Sequence, residues 1–208
     1  MAHIPDGVVS LPVLLTGATV TAAGCAVALR RLTPEAIPRT ALLAAAFFVA
    51  SLVHVPLGPS SVHLILGGLT GVILGWAAFP AITVALALQA VLFGFGGIAV
   101  LGVNAMNMAV PAVLCGGAFA LVRRGGGDPR RLALAGGACG GLAVLLTALA
   151  VAASLAASGR AFVPAARLVV FAHLPVMAVE AAVTAAVIGL VAQVRPDLLG
   201  GECAGEPQ

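Results

Sequence analysis

The chain has very little charge. Only 8% of its 208 residues are Asp, Glu, Lys or Arg, whereas soluble domains carry about 25%. Hydrophobic residues make up 62% of the sequence, and its mean hydropathy is +1.18. So few charged side chains cannot cover a surface that faces water. The composition therefore excludes an ordinary soluble domain and indicates a helical protein embedded in a lipid bilayer.

Lysine and tyrosine are absent, and all ten basic residues are arginine. The absence of lysine excludes a Schiff-base lysine and the lysine of a phosphate-binding loop, so we expect ATP hydrolysis to take place on other chains. The four cysteines form no CxxC pair, and no HExxH motif, paired carboxylates or nucleophile beside a base occurs. We therefore predict a non-catalytic protein that binds no organic cofactor and no nucleic acid.

Apolar runs separated by proline, glycine and arginine predict seven membrane-spanning helices, since a span needs about 17–25 residues. They lie near residues 8–29, 41–57, 62–79, 81–97, 104–122, 132–157 and 168–194, with Pro80 alone separating the third from the fourth. The sequence thus predicts an all-α membrane protein, a bundle of seven transmembrane helices. A single transmembrane domain covers residues 1–199, and residues 200–208 form a short tail.

The arginines predict how this bundle is oriented. Seven alternating spans put eight of them on one side, and only Arg160 and Arg167 on the other. Because cytoplasmic loops carry the excess of basic residues, the N-terminus is expected outside and the C-terminus, with its tail, in the cytoplasm. The eight are Arg30, Arg31, Arg39, Arg123, Arg124, Arg130, Arg131 and Arg195.

Small residues recur at a spacing of four in two helices: Ala18, Ala22 and Ala26 in the first, and Gly67, Gly71 and Gly75 in the third. Such stripes let helix backbones approach closely in lipid. Two interpretations stay open, internal packing of the bundle or docking of a partner subunit.

All four histidines are expected toward the external face: His3, His54, His63 and His173. Neutral imidazole is a common ligand for zinc, copper and nickel, although a lone histidine at a membrane interface more often serves as a hydrogen-bonding anchor. An irregular, closely packed connection is predicted at the same face and leads into Asn104 and Asn107; its glycines are Gly94, Gly96, Gly97 and Gly102.

His3 lies close enough to the start of the chain to chelate an ion with the terminal amine. If Met1 is retained, its amine, the amides of Ala2 and His3 and the His3 imidazole supply four nitrogens. If Met1 is removed, Ala2 and His3 supply three, and His63 is the natural fourth ligand. Planar nitrogen coordination favours Ni²⁺ or Cu²⁺. The alternative is a frayed, inactive terminus, against which residues 5–7 (Pro-Asp-Gly) predict a turn that also caps the first helix.

Glu180 is the one acid well inside a predicted span, on the same helical face as His173 and Met177. Buried acids in membranes are candidates for function, and a proton carrier is one possibility. The alternative is a structural carboxyl that bonds to a neighbour such as Gln89.

Five stretches in order resemble the membrane substrate-binding subunit of cobalt and nickel energy-coupling-factor transporters, the CbiM/NikM family. They extend from residue 3 to about residue 199. The stretches are HIPDG at 3–7, GPSSVHL at 58–64, LQA with FGFGG at 88–97, LGVN with NM at 101–108, and HLP with Glu180 from residue 173, ending at RPDLL, 195–199.

This resemblance implies capture of Co²⁺ or Ni²⁺ from outside by a multi-pass protein of the cytoplasmic membrane. It implies as ligands the amine of Ala2 (Met1 if it is not removed), His3 and His63. The implied partners are a membrane coupling subunit on the Ala18, Ala22 and Ala26 face, cytoplasmic ATPase subunits and, as an open possibility, a small accessory membrane subunit. Surrounding polar residues are candidates for the second shell: His54, Gln89, Asn104, His173 and Glu180.

Two departures from the family pattern affect these expectations. Ala2 intervenes between Met1 and the histidine, a difference that removal of Met1 would cancel, and Phe95 stands where relatives often have a polar residue. Cobalt is slightly favoured because the chain stands alone, as in members serving cobalamin synthesis, whereas planar nitrogen coordination favours nickel.

The rival interpretations are a proton-coupled secondary metal transporter using Glu180 and a membrane sensor or scaffold that transports nothing.

Overall fold

The structure is a computed structural model that describes residues 3–52, 54–57 and 60–200, with side chains for 3–52 and 64–199. Short 3-10 turns at Pro34–Ala36, Gly75–Ala77, Arg160–Phe162 and Pro196–Gly200 adjoin the helices. The seven helices of the described chain are α1 (Leu11–Arg31), α2 (Ile37–Ala50), α3 (Gly67–Leu74), α4 (Ala78–Phe93), α5 (Leu101–Arg124), α6 (Pro129–Ser158) and α7 (Val163–Val194).

Five helical stretches of the described chain are long and apolar enough to cross a membrane. They are α1, the continuous path Gly67–Phe93 through α3 and α4, α5, α6 and the stretch Arg160–Val194 that includes α7. This finding confirms a helical, multi-pass membrane protein. With 14 and 8 residues, α2 and α3 are shorter than the roughly 17 that a span needs, so the count of seven spans stays a prediction.

A β-hairpin stands where the second and third predicted spans were expected to approach each other. Strand β1 (His54–Leu57) pairs antiparallel with β2 (Ser60–His63), and His54 lies opposite His63. The helical prediction for residues 54–57 and 62–63 is therefore wrong. Pro56 in β1 accounts for the end of the helix before residue 54, because proline lacks an N–H and its ring clashes with the carbonyl four residues earlier in a helix.

The break between the third and fourth predicted spans also lies elsewhere. The chain turns at Gly75, whose φ of 54° and ψ of −124° end α3, and not at Pro80. Pro80 lies within the first turn of α4, where a missing N–H has no intrahelical partner to lose. Glycine adopts this positive φ without the steric cost that a side chain would bring.

Helix α3 is the centre of the core, and all eight of its residues are buried. A Cβ atom at Gly71 would lie 1.9 Å from the carbonyl oxygen of Ala112 in α5, and one at Gly68 would lie 2.5 Å from Gly140 Cα in α6. Helix backbones approach this closely only where side chains are absent. For Gly71, the packing interpretation of the glycine stripe is therefore confirmed.

The helix directions separate the bundle into two ends. Helix α1 runs alongside α5 in the same direction, with the Thr21 hydroxyl donating to Gly102 O at 2.7 Å. Helix α6 returns against α5, where the Cys139 thiol donates to Cys115 O at 3.3 Å, and α7 runs back along α6. The ends of α1, α5 and α7 with the start of α6 form the arginine-rich end; the opposite end, with residues 3–7, is called the N-terminal end.

Candidate metal-binding site

The N-terminal segment, residues 3–7, is docked into the bundle through Asn104 of α5. The Ile4 N–H donates to Asn104 Oδ1 at 2.9 Å, and Asn104 Nδ2 donates to the Ile4 carbonyl oxygen at 3.0 Å. Ile4 is 2% exposed and packs with Val100 and Val103, and His3 is 8% exposed. Because one side chain pairs both polar groups of a buried residue, the hypothesis of a frayed terminus is wrong for residues 3 and 4.

Two glycines make room for this docked segment. A Cβ at Gly97 would lie 2.1 Å from Asp6 Cγ, and one at Gly96, where φ is +77°, would lie 2.9 Å from Asn104 Nδ2 and 3.5 Å from His3 Cβ. The predicted close packing is thus confirmed for Gly96 and Gly97, whose missing side chains leave space for the N-terminal segment, whereas a Cβ at Gly94 would meet nothing within 4 Å.

Phe95, between Gly94 and Gly96, stacks its ring on the His3 imidazole. The two ring centroids are 6.4 Å apart and the planes are inclined by 20°. Phe95 therefore places an aromatic ring beside the His3 imidazole.

Asp6 has a different role from the predicted one. Its Oδ1 accepts the Val100 N–H at 3.0 Å, just ahead of α5. Ser10 is the N-cap residue of α1, and its side chain makes no cap hydrogen bond. The prediction that residues 5–7 cap α1 is therefore wrong, whereas the predicted turn is present, with Gly7 at φ +80°.

The structure describes the predicted histidine ligands to different extents. His3 lies beside Phe95 and Asn104, and the backbone of His63 pairs with that of the second-shell candidate His54 in the hairpin. Met1 and Ala2 lie outside the described residues. Among the side chains of 3–52 and 64–199, no three His, Cys, Asp or Glu residues could hold a metal ion. That His3 and His63 meet at one ion stays a prediction.

His173 and Gln89, two candidates for the second shell, are buried and bonded nearby. His173 Nδ1 lies 2.7 Å from the carbonyl oxygen of Val169, one turn earlier in α7. Gln89 donates from Nε2 to Ser51 Oγ at 2.7 Å. Gln89 therefore connects α4 to the end of α2, just before the hairpin.

The structural alternative for Glu180 named Gln89 as its hydrogen-bonding neighbour, but Glu180 bonds to two backbone N–H groups instead. Its Oε1 accepts the N–H of Leu66 at 2.8 Å and also the N–H of Ile65. Sequence analysis missed this role, because the backbone groups lie about 115 positions away and leave no local pattern.

On α1, the alanine stripe and the packing stripe are separate. Gly17, Thr21, Gly24 and Ala28 are buried, whereas Ala18, Ala22 and Ala26 are exposed. Helix α1 packs against the rest of the bundle mainly through the buried stripe. The alanine stripe leaves a smooth exposed face, and the docking of a partner on that face stays a prediction.

Comparison with known proteins agrees with this architecture. The CbiM family model, described as the cobalt uptake substrate-specific transmembrane region, matches residues 3–198. A Haemophilus influenzae protein assigned to metal transport is 41% identical over 203 residues, 95% of this chain and 96% of the relative. The fused nickel transport protein NikMN of Rhodobacter capsulatus is 39% identical over 143 residues, 64% of this chain and 41% of the relative.

Solved structures give the same result. The crystal structure of a transition metal transporter superposes with a TM-score of 0.74 at 27% identity, covering 92% of this chain and 93% of that one. A truncated transition metal transporter gives 0.72 at 27% identity, with 94% and 98% covered. The chain is therefore a multi-pass membrane protein that belongs to the CbiM family of metal transport proteins.

Proposed function

We propose that this chain is the substrate-binding membrane component of an ATP-driven importer of Co²⁺ or Ni²⁺, capturing the ion at the outer face of the cytoplasmic membrane. The observation that carries this proposal is the docked N-terminal segment. A mobile terminus would lose conformational freedom when it closed on an ion, whereas one already bound to the bundle by Asn104 and Asp6 has lost most of it.

The hydrogen bonds also limit which nitrogens take part. The Ile4 amide donates to Asn104, so the nitrogens left for chelation are those of His3 and the residues before it. With Met1 removed, the Ala2 amine, the His3 amide and the His3 imidazole supply three, and His63 supplies the fourth. With Met1 retained, the terminus alone supplies four.

Cobalt and nickel are both candidate substrates. A nitrogen-rich planar site favours Ni²⁺ on geometry, and the Rhodobacter relative is named for nickel transport. The family description names cobalt. Side-by-side titration with the two ions decides between them.

The energy for uptake would come from other chains. We infer a membrane coupling subunit that docks on the exposed Ala18, Ala22 and Ala26 face, with ATPase subunits on the cytoplasmic side. The lysine-free sequence fits this division of labour. The arginine-rich end would face the cytoplasm, which leaves the N-terminal end at the outer surface.

The rival function, a proton-coupled transporter with Glu180 as carrier, makes a different prediction. Glu180 is fully buried and one of its oxygens accepts two backbone N–H groups. Since a carrier must lose and regain a proton during each cycle, a carboxylate held in this way is better suited to a structural role. Uptake that continues after the proton gradient is collapsed would exclude the rival.

Purified protein tests the site directly. Intact mass shows whether Met1 is present, and elemental analysis after loading with Co²⁺ or Ni²⁺ counts the bound ions in the wild type, His3→Ala and His63→Ala. We expect one ion per chain, lost in both variants, with Met1 absent. Loss only in His3→Ala with Met1 present would mean that the terminus chelates alone. A wild type without a bound ion would refute metal capture.

Uptake in cells tests the mechanism. Radiolabelled metal should accumulate only when the chain is produced with its coupling and ATPase subunits, and an inactivating substitution in the ATPase should stop uptake. Uptake by this chain alone would contradict the ATP-driven proposal.

A further inference from the structure

The connection between the hairpin and α3 has an unusual backbone. Strand β2 ends at His63, and α3 begins at Gly67. Within the described residues, Leu66 is the only non-glycine residue with a positive φ, at φ 51° and ψ 20°. A left-handed conformation is unfavourable for leucine because its Cβ approaches the following carbonyl, so neighbouring contacts must hold it.

Those contacts come from Glu180 in the middle of α7. Its Oε1 accepts the N–H groups of both Ile65 and Leu66. The donors are Leu66, the N-cap residue of α3, which makes no side-chain cap hydrogen bond, and Ile65 before it. Backbone N–H groups at a helix start have no intrahelical acceptor, and leaving them unpaired in a membrane interior is costly. Glu180 thus supplies, from a distant helix, the acceptor for the two backbone N–H groups that lead into α3.

The surroundings make this contact hard to replace. Glu180 has no solvent exposure and Ile65 is 1% exposed, so water cannot readily take over as the acceptor. Helix α7 also contacts β2 itself. The position of α7 therefore determines where the end of β2, and with it His63, is held.

We propose that Glu180 is a positioning residue of the metal site, which fixes the backbone of residues 64–66 and thereby sets the place of His63. This inference rests on the proposed function, because it assumes that His63 is a ligand. Glu180 itself does not bind the ion. Its part is to accept two hydrogen bonds, and any side chain of similar shape with one suitable oxygen would do the same.

The test compares two substitutions at this position. Glu180→Gln keeps an oxygen that can accept both N–H groups, and Glu180→Met keeps the shape without an acceptor. With Ni²⁺ as the probe, we expect Glu180→Gln to bind within about threefold of the wild type and Glu180→Met to bind at least about tenfold more weakly. The visible absorption band of bound Ni²⁺, which reports coordination geometry, should change in Glu180→Met alone.

Thr184→Val is the matched control. Thr184 lies one turn after Glu180, is fully buried, and its hydroxyl bonds to nothing within the described part of the chain. We expect wild-type affinity and spectrum for Thr184→Val. Equal losses in Glu180→Met and Thr184→Val would reduce Glu180 to general packing, and a loss in Glu180→Gln equal to that in Glu180→Met would show that the charge matters; either outcome overturns the proposal.

A second measurement does not depend on metal. Hydrogen exchange at the amides of Ile65 and Leu66 in the metal-free protein should be faster in Glu180→Met than in the wild type, and unchanged in Glu180→Gln. Unchanged exchange in Glu180→Met would overturn the positioning role. If the wild type binds no Ni²⁺ but exchange responds as expected, the proposed function fails while the contact to residues 65 and 66 stands. Should Glu180→Met not fold, the affinity and exchange of Glu180→Gln alone decide.

Discussion

Replacement of Asn104 by alanine is the most direct test of N-terminal docking. Asn104 is 2% exposed and is the hydrogen-bond partner of both the N–H and the carbonyl of Ile4, at 2.9 and 3.0 Å. Alanine removes both hydrogen bonds, because its side chain has neither a donor nor an acceptor. The N-terminal segment must then either leave two backbone groups buried without a partner or move out to water.

The magnitude follows from those two groups. A buried polar group left without a partner costs about 1–3 kcal/mol, so the docked segment loses about 2–6 kcal/mol for the pair. Since about 1.4 kcal/mol corresponds to tenfold, the docking equilibrium shifts by roughly 30-fold to 20,000-fold. The apparent dissociation constant rises as the docked fraction falls. We therefore expect at least about tenfold weaker binding of Ni²⁺ or Co²⁺.

Isothermal titration of the purified protein with Ni²⁺ measures the effect, and Asn107→Ala serves as the control. Asn107 lies one turn further along α5, is 1% exposed, and accepts from the Ser154 hydroxyl at 3.2 Å, with no hydrogen bond to the described residues of the N-terminal segment. Its loss should lower thermal stability but change metal affinity by less than about threefold. Wild-type affinity in Asn104→Ala, or an equal loss in both variants, would refute the reasoning.

Three further predictions concern other contacts. Gly97→Ala should displace the Asp6 carboxylate, because its Cβ would lie 2.1 Å from Asp6 Cγ; metal affinity falls, and an unchanged affinity would contradict the docking role of this loop. Ala22→Leu should leave metal binding intact and weaken assembly with the coupling subunit in a pull-down; survival of the complex would show that the docking face is assigned wrongly. The hydrogen bonds from Arg195 hold the pKa of Asp197 below its ordinary value. Their stabilisation is present above the unfolded pKa and lost as pH falls through the folded one. The melting temperature of Asp197→Asn should therefore approach that of the wild type on acidification, and a constant difference would contradict this.

Sequence analysis was most successful where a residue type indicates one structural feature, as glycine indicates close backbone approach. Glycine at 96 and 97 indicated close backbone approach, and the structure has the N-terminal segment in that space. It was least successful where several interpretations share one pattern. The second predicted span reached residue 57 and the third began at residue 62, yet residues 54–57 and 60–63 form paired strands. Pro56, which has no N–H to give to a helix, lies in the first of these strands.

The candidate site shows the same division. His3 and Asn104 were selected as candidates from their positions in the chain. In the structure they are close together, because the Asn104 side chain bonds to the backbone of Ile4, the residue that follows His3. Asp6 was assigned to the wrong helix, because an acid near a helix start suggests a local cap whereas this one accepts from Val100, 94 positions later. No spacing rule detects a hydrogen bond over that separation.

The sequence by itself determined the class of the protein, because hydropathy and the scarcity of charge are properties of composition that no folding can change. It also determined the grouping of the arginines near the ends of the helices and the presence of a histidine near the N-terminus. Only the tertiary structure decided which partners the polar groups find. Glu180 serves the amides of Ile65 and Leu66 and not Gln89, because in a membrane interior a buried acceptor pairs with whichever unsatisfied donors the helix packing brings to it.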